Sequence, residues 1–188
     1  MHDLRSLIAH YTDGLPDKPT PDNIRSARYA AVEAVLRAGV VPTERSIHII
    51  NWVHRARELD SFVTVQGRHP RENNRAGVGV IPRSESALHE WVRDQRRPNT
   101  HKRTTFQGLR LELIAGFSWA PHEDAWQVQL KKYRAFVDLN GCAPRARSAD
   151  AAERALADWA TRQRHRHRNN RLSSGQEEAL LSLPIWTW

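Results

Sequence analysis

Residues 90–97, EWVRDQRR, and residues 158–165, DWATRQRH, spell the same phrase: an acid, Trp, three residues, Gln, Arg. A chain that repeats itself in this way folds as copies of whatever one copy folds into. The correspondence reaches well beyond the octets. Trp52, Ala56, Leu59, Phe62 and Val63 recur as Trp126, Leu130, Tyr133, Phe136 and Val137, 74 residues on, and Gly67 and Pro70 recur as Gly141 and Pro144 at the same spacing. Leu88, Trp91, Gln95 and Arg96 match Leu156, Trp159, Gln163 and Arg164 at an offset of 68. Leu113, Ile114 and Trp119 match Leu180, Leu181 and Trp186 at 67, which leaves Trp188 outside the matched set. The first change of offset falls in RENNRAGVGVIPRSES, residues 71–86, which reads as a loop insertion in the first copy.

Each copy carries three helical segments. Trp52, Ala56, Leu59 and Val63 fall at i, i+4, i+7 and i+11, one face of a helix, and Gly67 and Gly141 stand where a C-terminal cap belongs. A second helix starts near Ser84 or Asp150, and a third spans about Thr104–Ala115 or Ser173–Leu183. Two-residue alternation is nowhere sustained, which argues against a sheet. At helical spacing the Trp residues read as core rather than as stacking platforms.

Residues 1–47 lie outside the repeat. A turn-rich break, DGLPDKPTPDN, precedes a helix with Thr20 as N-cap, Pro21 at its first position and Gly39 past its end. Pro42–Thr43 then reads as the start of another helix, giving a helix-turn-helix outline, with a helical pair that caps the repeats as the alternative. The reading is therefore all-α: two tandem three-helix bundles (48–121 and 122–188) behind an N-terminal helical extension (1–47).

Charge narrows the function. The chain carries 29 Lys and Arg against 21 Asp and Glu, a net +8, which points to a polyanionic partner. The basic residues concentrate where the two octets end: Arg93, Arg96, Arg97, Lys102 and Arg103 in the first copy, Arg162, Arg164, Arg166, Arg168 and Arg171 in the second, the latter in an acid-free run. Cations at a helix C-terminus oppose its dipole by about 0.3–1 kcal/mol each, which accounts for one or two such residues but not five. Phosphate contact is the better reading, with Arg71 and Arg145 as weaker candidates. Gln95 and Gln163 suit adenine edges or, as the favoured role, structural hydrogen bonds to the inter-helix loop. The third helices are poor in positive charge and unsuited to a groove.

Other chemistry finds no support. Cys142 is the single cysteine, His165 and His167 lack a ligand set, and no cofactor or metal is expected. No Gly-rich phosphate loop ends in Gly-Lys-Ser/Thr, and no catalytic triad can be traced. The N-terminus lacks the apolar core of a signal peptide and no run is long enough to span a bilayer, so a cytoplasmic, non-membrane protein is expected, nucleoid-associated if bacterial.

Laid out together, Trp52, Leu59–Asp60–Ser61–Phe62, Gly67, Pro70–Arg71, Leu88, Trp91, Gln95–Arg96 and Gly116–Phe117–Ser118–Trp119 resemble the helicase-associated domain, a tri-helical module repeated at the C-termini of some bacterial and phage helicases. The second copy matches through Trp126, Tyr133, Phe136, Gly141, Pro144–Arg145, Leu156, Trp159, Gln163–Arg164 and Trp186, but ends Leu183–Pro184–Ile185–Trp186 in place of Gly–Phe–x–Trp. The resemblance implies an all-helical fold and nucleic-acid binding, without the helicase motor. The expected function is non-enzymatic binding of nucleic acid, duplex DNA ahead of RNA. A phage- or plasmid-type accessory factor docking an acidic protein is the rival, and a small nuclease the enzymatic alternative.

Overall fold

The computed structural model describes residues 3–71, 80–97 and 103–188. These residues form eight helices and no strand: α1 Leu4–Thr12, α2 Pro21–Arg37, α3 Ile47–Gln66, α4 Arg83–Arg96, α5 Thr105–Glu112, α6 Pro121–Asn140, α7 Ala151–Arg168 and α8 Ser174–Leu181. No described helix is long and apolar enough to cross a membrane. Most of the insertion, 72–79, and Lys102 among the candidate cations lie outside the described residues.

The chain divides into two compact units, Met1–Trp119 with α1–α5 and Ala120–Trp188 with α6–α8. In the first, α3 buries Ile49, Trp52, Val53, Ala56, Leu59 and Val63, and Leu88, Val92, Phe106, Leu111 and Ile114 pack onto them from α4 and the α5 segment. The N-terminal helices share this core. Leu7, Ile8 and Tyr11 of α1 and Ala30 and Val32 of α2 are buried in it, with Tyr11 edge-on to Phe106 at 5.8 Å. The Ser26 hydroxyl accepts from the Phe106 N–H at the start of α5. The stretch that follows Gly39 stays non-helical until Ser46, so α3 begins at Ile47 and not at Pro42–Thr43. The helix-turn-helix outline loses its tight turn by that shift.

Beneath α2 lies a buried ionic cluster. The Arg110 guanidinium, 1% exposed, meets Asp60 of α3 at 2.8 Å and Glu33 of α2 at 3.6 Å, and Glu33 is fully buried. Arg57 approaches Glu33 from its other side at 3.7 Å. The two Glu33 contacts are ionic rather than hydrogen-bonded at this length, whereas Arg110 donates a hydrogen bond to Asp60.

The second unit builds its core from Trp126, Leu130, Tyr133 and Val137 of α6, Leu156, Trp159 and Ala160 of α7, and Leu180 and Leu183. Trp159 lies 6.1 Å from Trp126 and 6.3 Å from Trp186, so three indoles supply much of the apolar volume.

Local chemistry explains the helix ends. Thr20, Thr104 and Ser173 each cap a helix reciprocally with the residue three positions on: Asn23, Gln107 and Gln176. Gly67 and Gly141 end α3 and α6 at φ 63° and 65°, a left-handed conformation open to glycine at little cost. The structure corrects the register of the third segment. Thr104, Leu111, Ile114 and Gly116 superimpose in role on Ser173, Leu180, Leu183 and Ile185, an offset of 69 rather than 67. Gly116 has φ 68° and Ile185 φ 59°. Trp186 thus stands where Phe117 does, and Trp188 where Trp119 does. The second copy keeps the turn, with Ile in the glycine position.

Candidate nucleic-acid interface

The repeated octet is first a clamp. In α4, the Gln95 amide oxygen accepts from the Trp52 indole N–H at 2.9 Å, and in α7 Gln163 accepts from Trp126 at 3.0 Å. Neither Gln oxygen is thereby left for a base edge. The next residue closes the turn after the third helix. Arg96 donates through Nε to the Ser118 carbonyl at 2.7 Å, and Arg164 to the Thr187 carbonyl at 2.7 Å. Each guanidinium also lies over a ring, Arg96 over Phe117 at 5.3 Å and Arg164 over Trp186 at 4.6 Å. Burial pushes the Arg96 pKa down.

A second repeated device anchors the entry to α4 and α7. Glu85 accepts from the Arg71 backbone N–H at 3.0 Å, and Glu153 from that of Arg145 at 2.9 Å. The charge partner changes between copies. Arg68 pairs with Glu85, whereas Arg145 itself turns back onto Glu153 at 3.0 Å. The Arg145 guanidinium, joined by the Ser148 hydroxyl, holds the Glu153 carboxyl down at about 2. Arg68 likewise holds Glu85 below the usual carboxylate range. Arg71 is exposed.

The remaining candidates divide by what they touch. Arg103 lies over Trp119 at 4.1 Å and donates to the Gln95 carbonyl. In the second copy His167 takes the equivalent place, stacked on Trp188 at 3.8 Å with its Nδ1 3.2 Å from Glu177. Arg166 donates to the Arg171 carbonyl at 3.1 Å, which closes the end of α7. Arg93 and Arg97 are exposed on the last turn of α4, Arg97 within 3.4 Å of Asp94.

Arg162, Arg168 and Arg171 are different. All three are exposed and form no ion pair among the described residues. Arg162, His165 and Arg168 follow i, i+3, i+6 on the side of α7 away from the buried Leu156, Trp159 and Gln163. Arg171 follows just past the helix end, and no acid lies between Thr161 and Leu172. Sequence pattern located this group, but it could not separate it from Arg96, Arg145 and Arg164, whose Nε–H groups are each bonded to an acceptor of the fold.

No family model matches the chain, and comparison with curated proteins and with solved structures gave no match either.

Proposed function

We propose that the protein binds nucleic acid without catalysing a reaction on it, with duplex DNA as the first candidate. One observation carries the reading: the end of α7 and the residues just past it present Arg162, Arg168 and Arg171 to solvent, and none of them forms an ion pair among the described residues. Three unpaired guanidinium groups within ten residues make a strong local positive potential, and phosphate is the ligand whose charge and geometry suit it. The net charge of +8 and the motif resemblance to helicase-associated domains support the same reading. Arg93 and Arg97 are exposed cations near the end of the equivalent helix in the first copy, though not at the aligned positions. Arg96, Arg145 and Arg164 serve chiefly to hold the fold that displays the others.

A mobility shift on duplex DNA across salt concentrations tests this. With about six phosphates neutralised, log K falls against log salt with a slope of about −5. Reversing Arg162, Arg168 and Arg171 together to Glu reduces the steepness of that slope by about 3 and weakens binding uniformly across sequences. A-form RNA duplex and single strands serve as competitors. Absence of a shift at low salt, or a salt-independent affinity, overturns the proposal.

A further inference from the structure

The first unit contains a cavity of about 570 Å³ that the α7 cluster does not involve, a volume within the range of small-ligand sites. Its wall is aromatic. Trp52 and Trp91 meet at 6.0 Å and 56°, an open corner rather than a closed stack, and Tyr29 of α2 stands edge-on to Trp52 at 5.4 Å. Trp91 is only half-buried, whereas its counterpart Trp159 is 4% exposed. Polar groups line the same space. Trp52 fixes the Gln95 amide as acceptor on one side, which leaves its NH₂ as a donor. In the second copy that NH₂ donates to the Trp159 carbonyl instead. Arg103 and Arg55 supply positive charge, Arg103 held in place between Trp119 and the Gln95 carbonyl, and Arg55 through the donors left over from its exposed 2.7 Å pair with Glu58.

We infer that this cavity receives a single unpaired nucleotide, its base against the Trp52–Trp91 corner and its phosphate at Arg55 and Arg103. A flat ring gains stacking on the indole face, and the Gln95 amide donates to its edge. A cationic guest suits the aromatic walls but not the two arginines, and the one carboxylate in the lining, Asp94, already lies 3.4 Å from Arg97. The second copy does not repeat the site: at the positions of Asn51 and Arg55 it has Ala125 and Gln129, and nothing corresponds to Tyr29. The N-terminal helices therefore gain a role, since α2 builds one wall.

The nucleotide has two possible sources, free in solution or carried in a single strand. Calorimetry and saturation-transfer NMR on the full chain, with AMP, GMP, CMP and UMP and then with single-stranded octamers, separate them. Asn51→Trp plugs the mouth from an exposed position of α3, with circular dichroism as the fold control. Saturable 1:1 binding of a mononucleotide, weakened at least about tenfold by Asn51→Trp, supports the site with a free ligand. Octamer binding with the same sensitivity, without mononucleotide binding, supports it with a strand-borne one. Arg55→Ala should weaken AMP while leaving adenosine unchanged. No saturable binding of either kind, or binding indifferent to Asn51→Trp, overturns the inference. The duplex reading fails separately: reversal of the three α7 arginines leaves the mononucleotide isotherm intact, and Asn51→Trp leaves the duplex shift intact.

Discussion

The two units share one frame but differ in what lies over it. Both carry the Trp–Gln bond, the Arg-to-carbonyl clamp and the carboxylate that pins the entry to the middle helix. The first is covered by α1 and α2, and the sequence beneath the cover is apolar: Ile49, Val53 and Phe106 are all buried. At the same positions the second unit has Glu123, Gln127 and Gly175, none of them buried. Arg110, buried against Glu33 and Asp60, corresponds to Ala179, and Asp60 to Arg134. Where α1 and α2 pack on an apolar face in the first unit, the second unit carries polar residues at the same positions. The cover in turn makes room for a buried charge and an aromatic cavity that a bare module has no means to build.

The largest test of this contrast is at Arg110. Arg110→Ala strips Glu33 of its closest cation inside the core, at a cost of about 3–5 kcal/mol in chemical denaturation. Arg110→Met paired with Glu33→Leu removes both charges at roughly constant volume and should recover most of that loss. If the single change costs under 1 kcal/mol, the cluster is not what joins α2 to α5.

The shared frame is tested next. Gln163→Ala leaves the Trp126 N–H unbonded in the second core and should cost about 1–3 kcal/mol. Gln95→Ala, at a half-buried site beside an open cavity where water reaches the Trp52 N–H, should cost about 1 kcal/mol or less. Equal losses from the two would mean that the cavity beside Gln95 does not admit water.

How far these features were legible follows from their range. Caps are local, so Thr20, Asp150, Gly67 and Gly141 could be read from neighbours alone, and with them the all-helical class, whereas Ser84 does not cap: α4 begins at Arg83, behind Pro82 and without a side-chain cap. The register of the last segment was hidden because matching Trp119 to Trp186 rewards residue identity, whereas the turn is set by a left-handed backbone that Ile185 disguises. Charge counting located both Arg clusters but says nothing about which N–H faces a carbonyl, so Arg96 and Arg164 read as surface cations. Glu33 and Arg110 are 77 residues apart with no periodic link, and pairing across such a distance is a product of the packed fold.

A smaller effect is expected at that disguised turn. A β-branched residue held at φ 59° costs about 1–2 kcal/mol relative to a relaxed backbone, so Ile185→Gly should stabilise the second unit by about 1 kcal/mol after the entropy of glycine is subtracted. Gly116→Ile should destabilise the first by a similar amount, since an added Cβ meets only the His69 ring at 3.5 Å and strain dominates. Thermal denaturation of both variants reads the pair, and the same sign for both would refute the structural equivalence of the two positions.

The carboxylate anchors give the weakest effect, one that the parent loses in acid. Glu153 has its pKa lowered from 4.5 to about 2 in the folded protein, so its contribution is complete above about pH 4.5 and disappears as pH falls toward 2. Its partner Arg145 has a side chain 75% exposed, so solvent screens much of the pair, and the loss should be modest. Glu153→Gln should be modestly less stable than the parent at pH 7, lose less between pH 5 and 2.5, and converge with it as pH falls toward 2, since a Gln amide oxygen still accepts from the Arg145 backbone N–H but carries no charge for the guanidinium. Were the variant as acid-sensitive as the parent, the anchor would owe its strength to that backbone bond alone. The exchange of Arg68 for Arg145 as charge partner would then be a neutral difference between the copies.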